Sequence, residues 1–168
     1  MSMSSANSLR QPTRREPLLP SSVERTDALG VVGLRCRVNL RLEVGDERPP
    51  VPFSFVVDSG ASYSIIGLDL AQLRHIPVPP PESEVEISLR TARGATPIRV
   101  RPGRIRAWWD EGLQGYPFDW PVLFRVGAPL DVPSILGLGG VVKTCRWTFA
   151  GSYSPDSPYG YLTLDDIR

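Results

Sequence analysis

Turn-forming residues divide this chain into short segments, and no other feature restricts its fold as strongly. Its 168 residues include 18 prolines and 15 glycines, which interrupt helices and central strands. Between these turns lie extended segments rich in apolar and β-branched residues: PFSFVV, VEISLRT, TPIRVR, RIRAWW, WPVLFRV, CRWTFA and YGYLTL. Segments of this length and spacing predict an all-β fold with little helix.

Alternation is clearest in the segment that precedes the first of these strands. In VVGLRCRVNLRLEV, residues 31–44, apolar residues occupy every second position from Val38 to Val44. This period predicts a half-buried strand, and GDERPP then predicts a turn. One short helix is predicted at GLDLAQLRHI, where Leu68, Leu70 and Leu73 are apolar.

Composition separates the chain into two regions. Residues 1–27 are rich in Ser, Pro and Arg and have almost no apolar periodicity, so we predict a disordered tail. Residues 28–168 then form one domain, which fits the length of the chain.

Charge gives no general attraction to nucleic acid or to anionic membranes, because 19 Lys and Arg residues balance 18 Asp and Glu residues. Arg99, Arg101, Arg104 and Arg106 could display cations on one face of a hairpin and contact phosphates. A solvated sheet face is the interpretation that we prefer, and nucleic acid is not an expected partner.

No apolar run approaches the ~20 residues of a membrane span, and the first residues lack the apolar block of a signal peptide. We therefore expect a cytoplasmic protein without a membrane partner.

Cysteine and histidine are too few for a metal site or a disulfide framework. Cys36 and Cys145 lie far apart without a CxxC motif, and His75 is the only histidine. We expect two half-buried thiols, no metal and no cofactor. His75 also lacks a neighbouring Ser or Cys motif, which argues against a histidine-activated nucleophile.

A carboxylate directly follows the apolar strand PFSFVV. Asp58 is succeeded by the small residues Ser59, Gly60 and Ala61. Such a loop suits a catalytic aspartate, because glycine permits close backbone approach and small side chains leave room for substrate and water. The alternative is a turn carboxylate that caps its own loop. Later in the chain come two bulky aliphatic residues and a glycine, Ile135, Leu136 and Gly137.

With these motifs in this order, the chain resembles the retropepsin-like aspartic proteases, the retroviral protease family and its bacterial and eukaryotic relatives. The resemblance extends from about Val31 to Leu164 and includes a glycine-bearing hairpin at Thr91 to Thr96, where Gly94 can take a positive φ at the tip. It implies a closed barrel or sandwich, a single lobe with one short helix, assembled as a homodimer. Ile135, Leu136 and Gly137 correspond to the structural motif of that family.

The resemblance also implies a function. Members carry one catalytic aspartate per chain, and no second Asp-[Ser/Thr]-Gly occurs here, since Asp110-Glu111-Gly112 and Asp131-Val132-Pro133 do not qualify. Asp58 from two chains would then activate a water that hydrolyses peptide bonds, with Ser59, Gly60 and Ala61 supporting the loop. Thr91, Ala92, Arg93 and Gly94 would form a flap over an extended peptide or protein substrate. The alternative is a module of the same fold that dimerises or binds peptide with little turnover.

Two positions depart from the retroviral pattern. Many retroviral enzymes place an acidic residue after the aspartate motif and an arginine after the late glycine, where this chain has Ser62 and Leu138. This chain therefore lacks the ion pair that those enzymes place beside the active site. Cellular and bacterial relatives also lack the arginine.

Overall fold

The computed structural model describes residues 14–17, 19–20, 34–45, 48–58, 60–91, 94–109, 117–139, 145–150 and 161–166. Their strands are β1 (Arg14–Pro17), β2 (Leu19–Pro20), β3 (Leu34–Leu42), β4 (Val51–Val57), β5 (Ser64–Gly67), β6 (Val85–Thr91), β7 (Gly94–Trp109), β8 (Phe118–Arg125), β9 (Ser134–Leu136), β10 (Cys145–Ala150) and β11 (Tyr161–Asp166). One α-helix, α1 (Leu68–Leu73), and a 3₁₀ turn (Pro81–Ser83) complete these elements. The predicted all-β fold with one short helix is confirmed.

The strands form two sheets, and the larger one closes on itself. Its order is β2-β3-β4-β9-β5-β8-β7-β6, and β3 additionally pairs with β7. This extra pairing, Leu40 with Trp109 through Leu42 with Ala107, joins β3, β4, β9, β5, β8 and β7 into a ring. The predicted closed barrel is therefore present. The smaller sheet has the order β1-β11-β10.

Strand alternation fills the barrel with apolar side chains. In β3, Val38, Leu40 and Leu42 are fully buried while the residues between them lie towards solvent, as their alternation predicts. Phe55 of β4 packs edge-on against Trp120 of β8, with ring centroids 5.9 Å apart. The core therefore anchors β4, the strand that ends at Asp58.

Strand β7 differs from the sequence prediction. TPIRVR and RIRAWW were expected as separate strands divided by Pro102-Gly103, but β7 continues through both residues. β6 pairs with β7 as far as Val100, and β8 pairs with it from Val100 onwards, so Pro102 has one paired strand neighbour. A missing N–H is tolerated at such a position. Gly103 is needed for space, because a Cβ atom there would lie 2.7 Å from Pro79 Cγ.

Helix α1 begins directly after β5 and buries Leu68 and Ala71. Leu73, an apolar residue of the predicted helix, is 62% exposed, because a helix this short turns only part of its surface to the core. His75 follows the helix in the left-handed region, with φ at 57°, and its carbonyl accepts a hydrogen bond from Gly45 N. This bond ties the end of α1 to the turn between β3 and β4.

Two strands lie inside the segment that was predicted to be a disordered tail. Arg14–Pro17 pairs with β11, and Leu19–Pro20 pairs with the start of β3. Main-chain pairing to an existing strand requires no apolar periodicity, which is why composition did not indicate it. The remaining residues of 1–27 lie outside the described part of the chain. Within the described ranges, no helix has the length and apolar character that a membrane crossing requires.

Candidate active site

Asp58 lies where β4 leaves the barrel, and the fold holds both its main chain and its side chain. Its N–H donates to the Leu136 carbonyl at 3.0 Å, which continues the parallel pairing of β4 with β9. Its carboxylate is exposed, and Oδ1 accepts a hydrogen bond from Gly60 N at 2.8 Å. The carboxylate is therefore oriented by its own loop while staying accessible to solvent.

The loop that follows Asp58 crosses the segment that follows β9. Ala61 N donates to the Asp58 carbonyl at 3.2 Å and closes a turn. Leu138 N then donates to the Ala61 carbonyl at 2.8 Å, and Gly139 N donates to the Ser62 carbonyl at 3.0 Å. The two segments are thus fixed to each other by main-chain hydrogen bonds at the positions where the retroviral ion pair is missing.

Gly137 permits this crossing. A Cβ atom there would overlap the Tyr63 carbonyl oxygen and would lie 2.6 Å from the Tyr63 carbonyl carbon and 2.7 Å from the Ala61 oxygen. Main-chain atoms cannot move away as the end of a flexible side chain can, so any side chain at 137 would separate the loops. The sequence motif Ile135, Leu136 and Gly137 therefore lies beside Asp58, and the need for its glycine is steric.

Ser64 is a positioning residue that the sequence motifs did not indicate. It is fully buried at the start of β5, and its Oγ accepts a hydrogen bond from Gly137 N at 3.2 Å. The sequence does contain a signal for its burial, because Ser64 lies two residues before Ile66. In a strand these two side chains occupy the same face, and both are buried. A hydroxyl at a core position requires a partner, and here the partner is the crossing segment.

Replacing Ser64 with Ala is expected to lower the free energy of unfolding by about 1 to 3 kcal/mol, because the buried Gly137 N–H then loses its acceptor. Urea unfolding of the two proteins measures the difference. Ser62→Ala is the matched control, since the Ser62 side chain is exposed and only its carbonyl takes part in the crossing. Equal losses in both variants would contradict the assigned role of Ser64.

The predicted flap corresponds to the hairpin of β6 and β7. Thr91 pairs with Gly94, and Gly94 has a φ of 116°, the positive value that the sequence predicted at the tip. Ala92 and Arg93 lie outside the described residues, as does Ser59 of the aspartate loop. The hairpin therefore exists where the flap was predicted.

Three of the four arginines of β7 lie near a carboxylate. Arg99 Nη1 lies 2.9 Å from Glu84 Oε1, and Arg101 Nε lies 3.6 Å from Glu84 Oε2. Arg106 lies 3.6 Å from Asp119 and 3.8 Å from Glu43. These carboxylates compensate much of the positive charge along the strand.

Cys36 is buried in the core, and the side chain of Cys145 is outside the described set. Within the described ranges, no three His, Cys, Asp or Glu side chains form a group that could hold a metal ion.

Comparison with known proteins identifies the fold. No protein-family model matches this sequence. No curated protein sequence matches it either. A solved structure that it resembles is the crystal structure of a retropepsin-like aspartic protease from Rickettsia conorii, with a TM-score of 0.50 and 16% sequence identity. The match covers 92% of this chain and 94% of that chain. The chain therefore has a retropepsin-like all-β fold.

Proposed function

We propose that this chain is an aspartic endopeptidase that works as a homodimer, with Asp58 of each copy forming one catalytic dyad. The observation that carries the proposal is an exposed Asp58 carboxylate, held on two interlocked segments, in a retropepsin-like fold. The described part of one chain offers one such loop, so a second copy would have to supply the other carboxylate.

The proposed reaction needs only the two carboxyls and a water. One ionised carboxylate removes a proton from the water, while the protonated carboxyl donates to the oxygen of the scissile carbonyl. Water adds to the carbonyl carbon to give a tetrahedral intermediate. The C–N bond then breaks as the departing nitrogen takes up the proton that the first carboxylate had removed from water. A hydroxyl of the intermediate returns its proton to the second carboxylate, which leaves a carboxyl end, an amine end and the original dyad.

The geometry of Asp58 suits this role. The Gly60 N–H engages Oδ1, which fixes the plane of the carboxylate. No hydrogen bond from the described residues engages Oδ2, so this oxygen can meet a water or the second Asp58. The catalysed reaction is faster when the catalytic group is already oriented before substrate binds.

Activity is expected to rise and then fall with pH. Two neighbouring carboxyls share one proton, as is established for aspartic-protease dyads, so the productive state has one protonated and one ionised group. Hydrolysis should decrease at low pH, where both carboxyls are protonated, and at high pH, where both are ionised. Initial rates on a mixed peptide library from about pH 3 to pH 8 would test this, and a rate that rises without a maximum would contradict the dyad.

Dilution of the protein in the same assay tests the homodimer. Because a dyad exists only in the dimer, the rate per chain should fall as the protein concentration drops below the dissociation constant. A rate per chain that never changes with dilution, in a protein that sediments as a monomer, would contradict a site shared between copies.

The second candidate is a module that dimerises or binds peptides without turnover. It is favoured by the rim of the site, where Ser62, Tyr63 and Leu138 are exposed and provide no ion pair. Exposed apolar side chains at Tyr63 and Leu138 suit a contact surface. Peptide binding without hydrolysis at any pH would support this candidate over the peptidase.

A further inference from the structure

A groove with a volume of about 420 Å³ runs along the outward side of the hairpin formed by β3 and β4. Its lining comes from the hairpin, from α1 and from the segment that enters β9: Arg37, Pro52, Phe53, Ser54, Val56, Leu70, Arg74, Leu130, Asp131, Val132, Pro133 and Ser134. Asp58 is not among these residues, so the groove is distinct from the carboxylate loop.

Both walls of the groove nevertheless lead to Asp58. Val56 lies on β4, two residues before Asp58, and Arg37 of β3 pairs directly with Val56. The opposite wall, residues 130–134, continues into β9, whose Leu136 carbonyl accepts the Asp58 N–H. A strand rises ~3.3 Å per residue, so the near end of the groove lies ~7 Å from Asp58 and the Pro52 end ~20 Å away.

Two arginines line the groove, Arg37 and Arg74. Arg37 and Arg74 are exposed, and neither forms an ion pair within 4.0 Å in the described ranges. Arg99 and Arg106 of β7 differ, because a carboxylate lies within 4.0 Å of each guanidinium. Among the described lining residues Asp131 is the one acidic side chain, which leaves the groove with a net positive charge.

The far wall carries exposed apolar side chains on either side of Asp131. Leu130 is 56% exposed and Val132 is 36% exposed, and both line the groove with the partly buried Val56. Large apolar side chains that line a concave surface are typical of binding sites. A ligand would therefore need apolar side chains for one wall and anionic groups for the other.

We propose that the groove binds an extended peptide segment that carries apolar and acidic side chains, and that this selects substrates for the site at Asp58. An extended peptide advances by the same rise per residue as β4, so an acidic side chain about two residues from the scissile bond would reach Arg37. A second acidic side chain farther along would reach Arg74. The link to substrate selection rests on the proposed peptidase function, whereas the binding itself does not.

Binding is measured most cleanly without cleavage, in the Asp58→Asn protein, by fluorescence anisotropy of a labelled short peptide. The probe contains Leu and Val flanked by two Glu residues, and its control replaces both Glu residues with Gln. The Glu peptide should bind about tenfold more tightly, because two charge-assisted contacts to arginine are lost in the Gln peptide. The preference should weaken as salt is added.

Variants locate the effect. In the Asp58→Asn background, replacing Arg37 and Arg74 together with Gln should remove the preference for Glu over Gln. Both side chains are exposed, so the fold should persist. The matched control replaces Arg99 and Arg104 together with Gln, since this removes the same two charges from exposed residues that do not line the groove.

Equal affinity for the Glu and Gln peptides would overturn the inference. So would an equal loss of affinity in the control variant that lacks Arg99 and Arg104. Displacement of the peptide by single-stranded RNA at the same charge concentration would also overturn it, because the groove would then be a general anion site. If the protein prefers the Glu peptide but the wild type hydrolyses nothing, the groove binds as proposed and the peptidase function is contradicted. If the wild type hydrolyses peptides but shows no preference for Glu, the peptidase function stands and the proposed role of the groove is contradicted.

Discussion

Replacing Asp58 with Asn is expected to lower kcat/KM for peptide hydrolysis by about 10³-fold or more. The amide cannot take a proton from water, and the loss of a general base costs ~10² to 10⁴-fold in rate. Because each dimer carries the residue twice, the variant would lose both the base and the proton donor. Initial rates on the peptide library, at the pH where the wild type is most active, measure this effect.

The same substitution should leave the fold intact. Asn has an oxygen in the place of Asp58 Oδ1, so it can still accept the hydrogen bond from Gly60 N. The carboxylate is exposed, and its removal leaves no buried group without a partner. The free energy of unfolding should therefore change by less than about 1 kcal/mol.

Asp69→Asn provides the matched control, because Asp69 is an exposed carboxylate in the first turn of α1 and lies outside the site. It should keep nearly full activity. An Asp58→Asn protein that cleaves as fast as the wild type would contradict the catalytic assignment.

Replacing Gly137 with Ala is expected to lower the free energy of unfolding by about 3 kcal/mol or more. The added methyl group would overlap the Tyr63 carbonyl oxygen and approach the Ala61 carbonyl to 2.7 Å. Both obstacles are main-chain atoms, so the two crossing segments would have to separate. For a domain whose total stability is ~5 to 15 kcal/mol, this is a large fraction.

Activity should fall with stability in this variant, because the displaced segments are the ones that hold Asp58. The Leu138 N to Ala61 O and Gly139 N to Ser62 O hydrogen bonds would both lengthen. Gly45→Ala is the control, since its added Cβ would meet nothing closer than the His75 carbonyl at 3.8 Å. If urea unfolding showed equal, small effects at both glycines, the steric account of the crossing would be wrong.

The local parts of this fold were readable from the sequence because they depend on near neighbours. Alternation in β3 predicted which side chains are buried, and Gly94 was placed at the positive φ of the hairpin tip. The position of Asp58 at the end of an apolar strand followed from the same kind of pattern. These features need no knowledge of distant residues.

Long-range contacts explain what the sequence did not predict. The steric role of Gly137 comes from Ala61 and Tyr63, which lie far from it in the chain. Pro102 and Gly103 read as a turn, but β7 changes partners there and remains extended. Arg37 and Arg74 belong to different elements, and only the packing of α1 beside the β3–β4 hairpin places them in one groove.

Mixing active with inactive chains tests most directly whether Asp58 forms half of a site shared between two copies. Wild type and Asp58→Asn are mixed in equal amounts, allowed to exchange subunits, and assayed at the total chain concentration of a wild-type reference. If both aspartates are required, random pairing leaves about one quarter of the reference rate, because only wild-type pairs are active. A rate of about one half would show that each chain works alone and would contradict the shared dyad.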